Sequence, residues 1–179
     1  MELLDALRRR DSSFLKDDRR YAQFLFFLFV QFFRTSKWFE IAPQAELRLP
    51  GVRFDRVLKV LSYIYADNVG EYIYCERDKW RLVFLEARCS TSLVTSDQPL
   101  FNSVPLPASK EQAPEEFKIF YPVSPQLAIR FSEESQVQNG TVISLSEHET
   151  RAYNELVKSN SFRQIFGASR EVLEFLAGN

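Results

Sequence analysis

Apolar positions in the first third of the chain recur at helical spacing. Leu3, Leu4 and Leu7 within residues 2–10 predict a short helix, and Asp11, Ser12 and Ser13 offer the N-cap of a second one running through Phe33. Residues 21–33 of that second helix are apolar on nearly every face, so it is expected at the centre of the fold, covered on nearly all sides. The run is interrupted by Gln23 and Gln31 and flanked by Arg19, Arg20 and Arg34. It falls short of the roughly 20 apolar residues that a membrane span needs, so no membrane partner is expected.

Further along, Phe54, Val57, Leu58, Leu61 and Ile64 or Tyr65 share one helical face over residues 52–66, and Asp67-Asn68-Val69-Gly70 reads as the turn that ends it. The period then changes to two: Tyr72 and Tyr74, followed by Trp80, Leu82 and Phe84, predict a strand pair. The β-branched run Leu93-Val94-Thr95 predicts another strand, delivering Ser96-Asp97-Gln98-Pro99 to its end. Residues 102–116, with Pro105, Pro107 and Pro114, are expected as a loop. Residues 117–131 return to strand character, broken at Tyr121-Pro122-Val123-Ser124-Pro125, and 141–145 suggests one more short strand. Ser146 with Glu149 forms a capping box for a helix expected to reach about Phe166, with Gly167 as its stop and a last helix over 170–176. The pattern is α+β in a single domain, 1–179. Its helical N-terminal part covers 1–40 and holds the buried aromatic helix, a mostly antiparallel sheet covers 71–145, and C-terminal helices cover 146–179.

Charge narrows the partners. With 23 basic and 24 acidic residues the net charge is -1, so no global field favours nucleic acid. The stripe Arg8-Arg9-Arg10 and 16–20 is diluted by Asp11, Asp17 and Asp18, and nucleic acid would have to be recognised locally. Two cysteines, Cys75 and Cys89, make no disulfide framework, and a reducing cytoplasm is the expected setting. His148 is the only histidine and there are five glycines, so neither a histidine-based zinc site nor a glycine-rich phosphate loop is expected, and no cofactor is implied.

The sharpest polar constellation is Gln31, Arg34 and Thr35, one helical face at the end of the most apolar helix, taken together with Thr95, Ser96 and Asp97 at a strand end. Arg34 meeting Asp97 would make a partly buried ion pair joining helix to sheet, or a pocket in which Arg34 grips an anionic group. Asn154 fits either reading, since an amide on an apolar helix face usually bonds nearby backbone. Tyr121 completes the candidate set. Asp97 with Glu116-Phe117-Lys118 also matches the carboxylate and Glu-x-Lys order of metal-dependent nucleases, a triplet that this composition produces by chance. No catalytic or metal-binding residue is designated.

Four segments occur in a recognisable order: Gln31-x-x-Arg34-Thr35, then Thr95-Ser96-Asp97-x-Pro99, then Pro122-x-Ser124-Pro125, then Tyr153-Asn154 ahead of Ile165-Phe166-Gly167. In this the chain resembles the uncharacterised bacterial family catalogued as domain of unknown function 4238, from about Tyr21 onward. That family typically opens with a His-Phe-x-Pro segment. The resemblance therefore implies a shortened relative, or one whose opening segment lies elsewhere. It implies no particular activity. The residues point to a binding or interaction module for a small anionic ligand or a protein partner. The alternative is a metal-dependent, nuclease-like effector of a defence or toxin system.

Overall fold

A computed structural model describes residues 2–41, 54–104 and 116–178. Among these the fold is α+β, and it divides into two compact units: Phe14–Arg77, which is helical, and Met1–Ser13 with Asp78–Asn179, which holds the sheet. No helix among the described residues is long and apolar enough to cross a membrane. The expected loop around Pro43, Pro50 and Gly51, and residues 105–115 of the expected loop over 102–116, lie outside the described residues.

The helical unit is built on α2 (Asp18–Phe33) packed against α4 (Phe54–Cys75), with the short α3 (Ser36–Ile41) following α2. The cap of α2 is Asp17, whose side chain accepts from the backbone N–H of Arg20 at 2.8 Å; Asp11 instead serves the 3-10 turn Ser13–Lys16, accepting from the Ser13 N–H. Phe24, Leu25 and Leu28 are buried, with the Phe24 ring 5.0 Å from that of Phe14. The helix is not covered all round, because Ala22, Gln23 and Phe26 form an exposed stripe.

The expected turn at 67–70 and the strand after it are replaced by helix, since α4 runs on to Cys75. Leu58, Ser62, Ala66, Gly70 and Ile73 are all buried, so the helical period never breaks. Gly70 is tolerated inside the helix because α2 lies close by: a Cβ there would stand 3.5 Å from Leu25 Cβ. Packing thus outweighs the roughly 1 kcal/mol by which glycine disfavours helix.

In the sheet unit the strands are β1 (Trp80–Ala87), β3 (Phe101–Asn102), β4 (Lys118–Ser124), β5 (Leu127–Glu133) and β6 (Thr141–Leu145), in the spatial order β3-β4-β5-β1-β6. All neighbours are antiparallel except β1 with β6. Short β2 (Thr95–Ser96) and β7 (Ile165–Phe166) form a separate antiparallel ribbon. Helices α5 (Glu147–Asn160) and α6 (Arg170–Gly178) set Val157, Val172 and Leu176 into a core with Val83, Leu85, Phe120 and Ala128 of the sheet.

The capping box of α5 forms as the spacing predicts: the Glu149 N–H donates to Ser146 Oγ, and the Ser146 N–H donates to Glu149 Oε2 at 2.8 Å. These Ser146 groups hold the Glu149 carboxyl below the usual carboxylate range. The far end of α5 differs from expectation. It stops at Asn160, and residues 165–166 leave as strand β7, so Gly167 ends no helix.

At the start of this unit, α1 (Glu2–Arg8) closes with Arg10 in the left-handed region at φ 58°, the Asp11 N–H bonding Ala6 O at 2.9 Å and the Arg10 N–H bonding Leu7 O at 2.9 Å. Glycine usually fills that position. Here an arginine is held there by its side chain, whose guanidinium donates to Glu86 of β1, while Arg88 engages the same carboxylate from the other side. The Arg88 hydrogen bond, with Arg10 adding to it, holds the Glu86 carboxyl below its ordinary range against the opposing effect of burial.

Candidate functional site

Three of the recognisable segments converge in the sheet unit. Leu93, Val94 and Thr95, the Pro122–Pro125 corner between β4 and β5, and Phe166, Gly167 and Ala168 after β7 line one groove of about 310 Å³.

Its floor is held by an amide. Asn154 is 1% exposed on α5, where it donates from Nδ2 to Ser92 O at 2.8 Å and accepts at Oδ1 from the Val94 N–H at 3.0 Å. The side chain thereby occupies the place of a neighbouring strand, pairing with backbone on both sides of Leu93. Leu93 itself donates its N–H to Pro125 O at 2.7 Å, fixing the floor to the β4–β5 corner. One residue before Asn154, the Tyr153 ring stacks on Phe120 at 4.7 Å.

Asp97 secures the other wall. Its two carboxylate oxygens accept from the backbone N–H groups of Phe162 at 3.0 Å and Arg163 at 2.8 Å, while its own N–H donates to Gln164 O at 3.1 Å. A carboxylate with both oxygens engaged by amides pins the segment leaving α5 beside β2, which is what allows β7 to form. Ser96 is buried and closes a tight local turn, donating from Oγ to Gln98 O and accepting from the Gln98 N–H. Gln98, a residue the sequence reading passed over, donates its amide to Leu100 O at 3.0 Å.

Thr95 is half-buried and lines the groove directly. Tyr121 is also half-buried and precedes the corner without lining the groove. Lys118 and Glu116, the other members of the Glu-x-Lys triplet, pair with each other at 3.0 Å.

The remaining candidates belong to the helical unit. Gln31 is buried on α2, Arg34 is the exposed C-cap of that helix, and Thr35 caps α3, its Oγ1 accepting from the Trp38 N–H at 3.3 Å and donating to Phe32 O at 2.9 Å. Asp97 therefore serves backbone within the sheet unit, and Arg34 contributes its backbone N–H to the end of α2.

A family model described as "Protein of unknown function (DUF4238)" matches residues 2–171. The chain belongs to this family. The DUF4238 match spans both units and every segment that forms the groove. No curated protein and no solved structure matches the chain.

The polar residues that stand out in this DUF4238 sequence thus act largely on backbone. Asn154 and Asp97 bond amides and carbonyls, and Ser96 bonds a turn. Sequence reasoning missed Phe166, assigned to a helix end, and it missed the Pro122–Pro125 corner as a wall. The available signal was an aromatic followed directly by Gly167.

Proposed function

We propose that this chain is a binding module whose sheet unit receives an uncharged, largely apolar segment of a protein partner in the groove of Leu93–Thr95, Pro122–Pro125 and Phe166–Ala168. The observation that supports this most is the lining itself: none of its ten residues is charged. Val123, two prolines and Phe166 supply apolar surface above the buried Leu93 and Val94, and Thr95 and Ser124 add hydroxyls. Phe166 leaves half of its surface in solvent at 50%. Aromatic side chains, phenylalanine among them, are enriched at protein interfaces. An anionic ligand would call for a cation among the lining residues, so of the two binding readings the protein partner is favoured.

Pro122 sits on β4 where β3 no longer covers the strand, since β3 pairs only with Phe120 and Ile119. A proline there removes a donor and discourages strand addition at the edge. Recognition by side-chain pockets, more than by ladder hydrogen bonds, follows from that. The nuclease alternative needs Asp97 available for a metal ion, and both of its oxygens already accept backbone N–H groups.

The test is selection of phage-displayed random 12-residue peptides on the full chain, with the Phe166→Ala variant as counter-target. Enrichment of uncharged apolar or aromatic peptides that bind at least tenfold more weakly to Phe166→Ala supports the reading. Enriched peptides that are dominated by acidic residues, or that bind Phe166→Ala equally well, would refute it.

A further inference from the structure

A second groove, in the helical unit, has a different chemistry. Ala22 and Phe26 of α2 and Ala66, Asp67, Gly70, Glu71 and Tyr74 of α4 line about 370 Å³. Ala22, Ala66 and Gly70 keep its floor low, and Gly70 does so because α2 passes close to it. Phe26 is 40% exposed and stacks on Tyr63, itself 55% exposed, with ring centroids 6.3 Å apart.

Along the outer crest of α4, Val60, Ile64, Asp67 and Glu71 follow one another at spacings of four, three and four, which places them on a single stripe. The first two are exposed apolar side chains. The last two are exposed carboxylates, and neither has a hydrogen-bond or ion-pair partner among the described residues. The face is therefore apolar at one end and anionic at the other. The protein's own chemistry shows what the aromatic rim accepts: the Arg77 guanidinium lies over the Tyr74 ring at 4.8 Å while bonding Asp18 at 3.0 Å.

We infer that this groove docks a basic amphipathic helix of a protein partner, with apolar side chains against Phe26, Tyr63 and Ile64 and Lys or Arg side chains meeting Asp67 and Glu71. The small-residue floor between two helices suits an incoming helix, whose side chains enter as knobs. Opposite charge on the rim selects a basic partner over an acidic one and fixes its direction along α4. This groove is built by the helical unit alone and takes a different partner segment from the sheet-unit groove.

The experiment is fluorescence anisotropy with the full chain and a labelled helical peptide of leucine, alanine and arginine, compared with the same peptide carrying glutamate in place of arginine. The arginine peptide should bind and the glutamate peptide should not. The double variant Asp67→Asn with Glu71→Gln should weaken binding about tenfold, the 1.4 kcal/mol that two exposed ion pairs supply. Tyr63→Ala should weaken it comparably. Asp78→Asn with Glu133→Gln removes the same formal charge from exposed positions in the sheet unit and should leave binding unchanged, as should Phe166→Ala. Equal weakening by the two charge-matched pairs would reduce the effect to net charge and overturn the proposal. Self-association in sedimentation that Tyr63→Asp abolishes, without peptide binding, would assign the face to a second copy and overturn it as well.

Discussion

Asn154→Ala is the most direct test of how the sheet-unit groove is built. The amide makes two hydrogen bonds to backbone, at 2.8 Å to Ser92 O and 3.0 Å from the Val94 N–H. Val94 is buried, so its N–H loses its partner and gains no water. An orphaned buried donor costs about 1–3 kcal/mol, and the second lost bond about 1 kcal/mol. The expected destabilisation is therefore about 3 kcal/mol, measured as the shift of the urea midpoint at constant slope.

Asn154→Asp separates hydrogen bonding from packing. Its carboxylate can still accept from Val94 N–H, but it places an oxygen against Ser92 O, which only the protonated acid can engage. The folded state thus raises the pKa of the introduced group and binds more protons than the unfolded state. Stability relative to the parent should accordingly rise as pH falls from 7 toward 4. A loss below about 0.5 kcal/mol for Asn154→Ala, or no pH dependence for Asn154→Asp, would refute the assignment of Asn154 as a backbone clamp.

Other substitutions probe the rest of the framework. Asp97→Ala should destabilise by about 2 kcal/mol through loss of two charge-assisted bonds to Phe162 and Arg163, and amide exchange at those two residues should accelerate most. Phe24→Ala, at a fully buried ring against Phe14, should cost about 3–5 kcal/mol in thermal or urea unfolding. Glu86 has a lowered carboxyl pKa in the fold, so its contribution is present above the unfolded-state carboxyl pKa and is lost as pH falls through the folded one. Glu86→Gln should therefore flatten the acid limb of the stability profile, and an unchanged limb would show that Arg10 and Arg88 do not stabilise the charge.

What the sequence disclosed was local. The aromatic run of α2 and the Ser146–Glu149 box of α5 carry their signals within a few residues, and both elements form where those signals stand. Asn154 was likewise legible as an amide seeking backbone, because it shares a helix face with Thr150 and Val157. What the sequence hid depends on distant partners. Asp67-Asn68-Val69-Gly70 has the composition of a turn, and only the approach of Leu25 to Gly70 makes helix the better choice. Strand β7 is two residues long and exists through pairing with Thr95 and Ser96, about seventy positions earlier. The partners of Asp97 on Phe162 and Arg163 were hidden as well, because backbone amides leave no mark in a sequence.

The separation between framework and surface yields a sharper expectation for function. Asn154 and Asp97 lie behind the groove and touch backbone, whereas Phe166 faces solvent at its rim. Substituting the first two should lower stability and weaken a groove-selected peptide together, because the floor and wall lose their register. Substituting Phe166 should leave stability within about 0.5 kcal/mol, as expected for an exposed side chain, and still weaken the peptide at least tenfold. A chemical site would behave in the opposite way: loss of the Asp97 carboxylate would abolish activity with the fold intact, and loss of the exposed ring would matter little. Urea midpoints and peptide affinities measured on the same three variants decide between the two. If Asp97→Ala keeps full stability, the carboxylate is not serving the backbone, and a binding groove held by structural polar residues is no longer the right description of this unit.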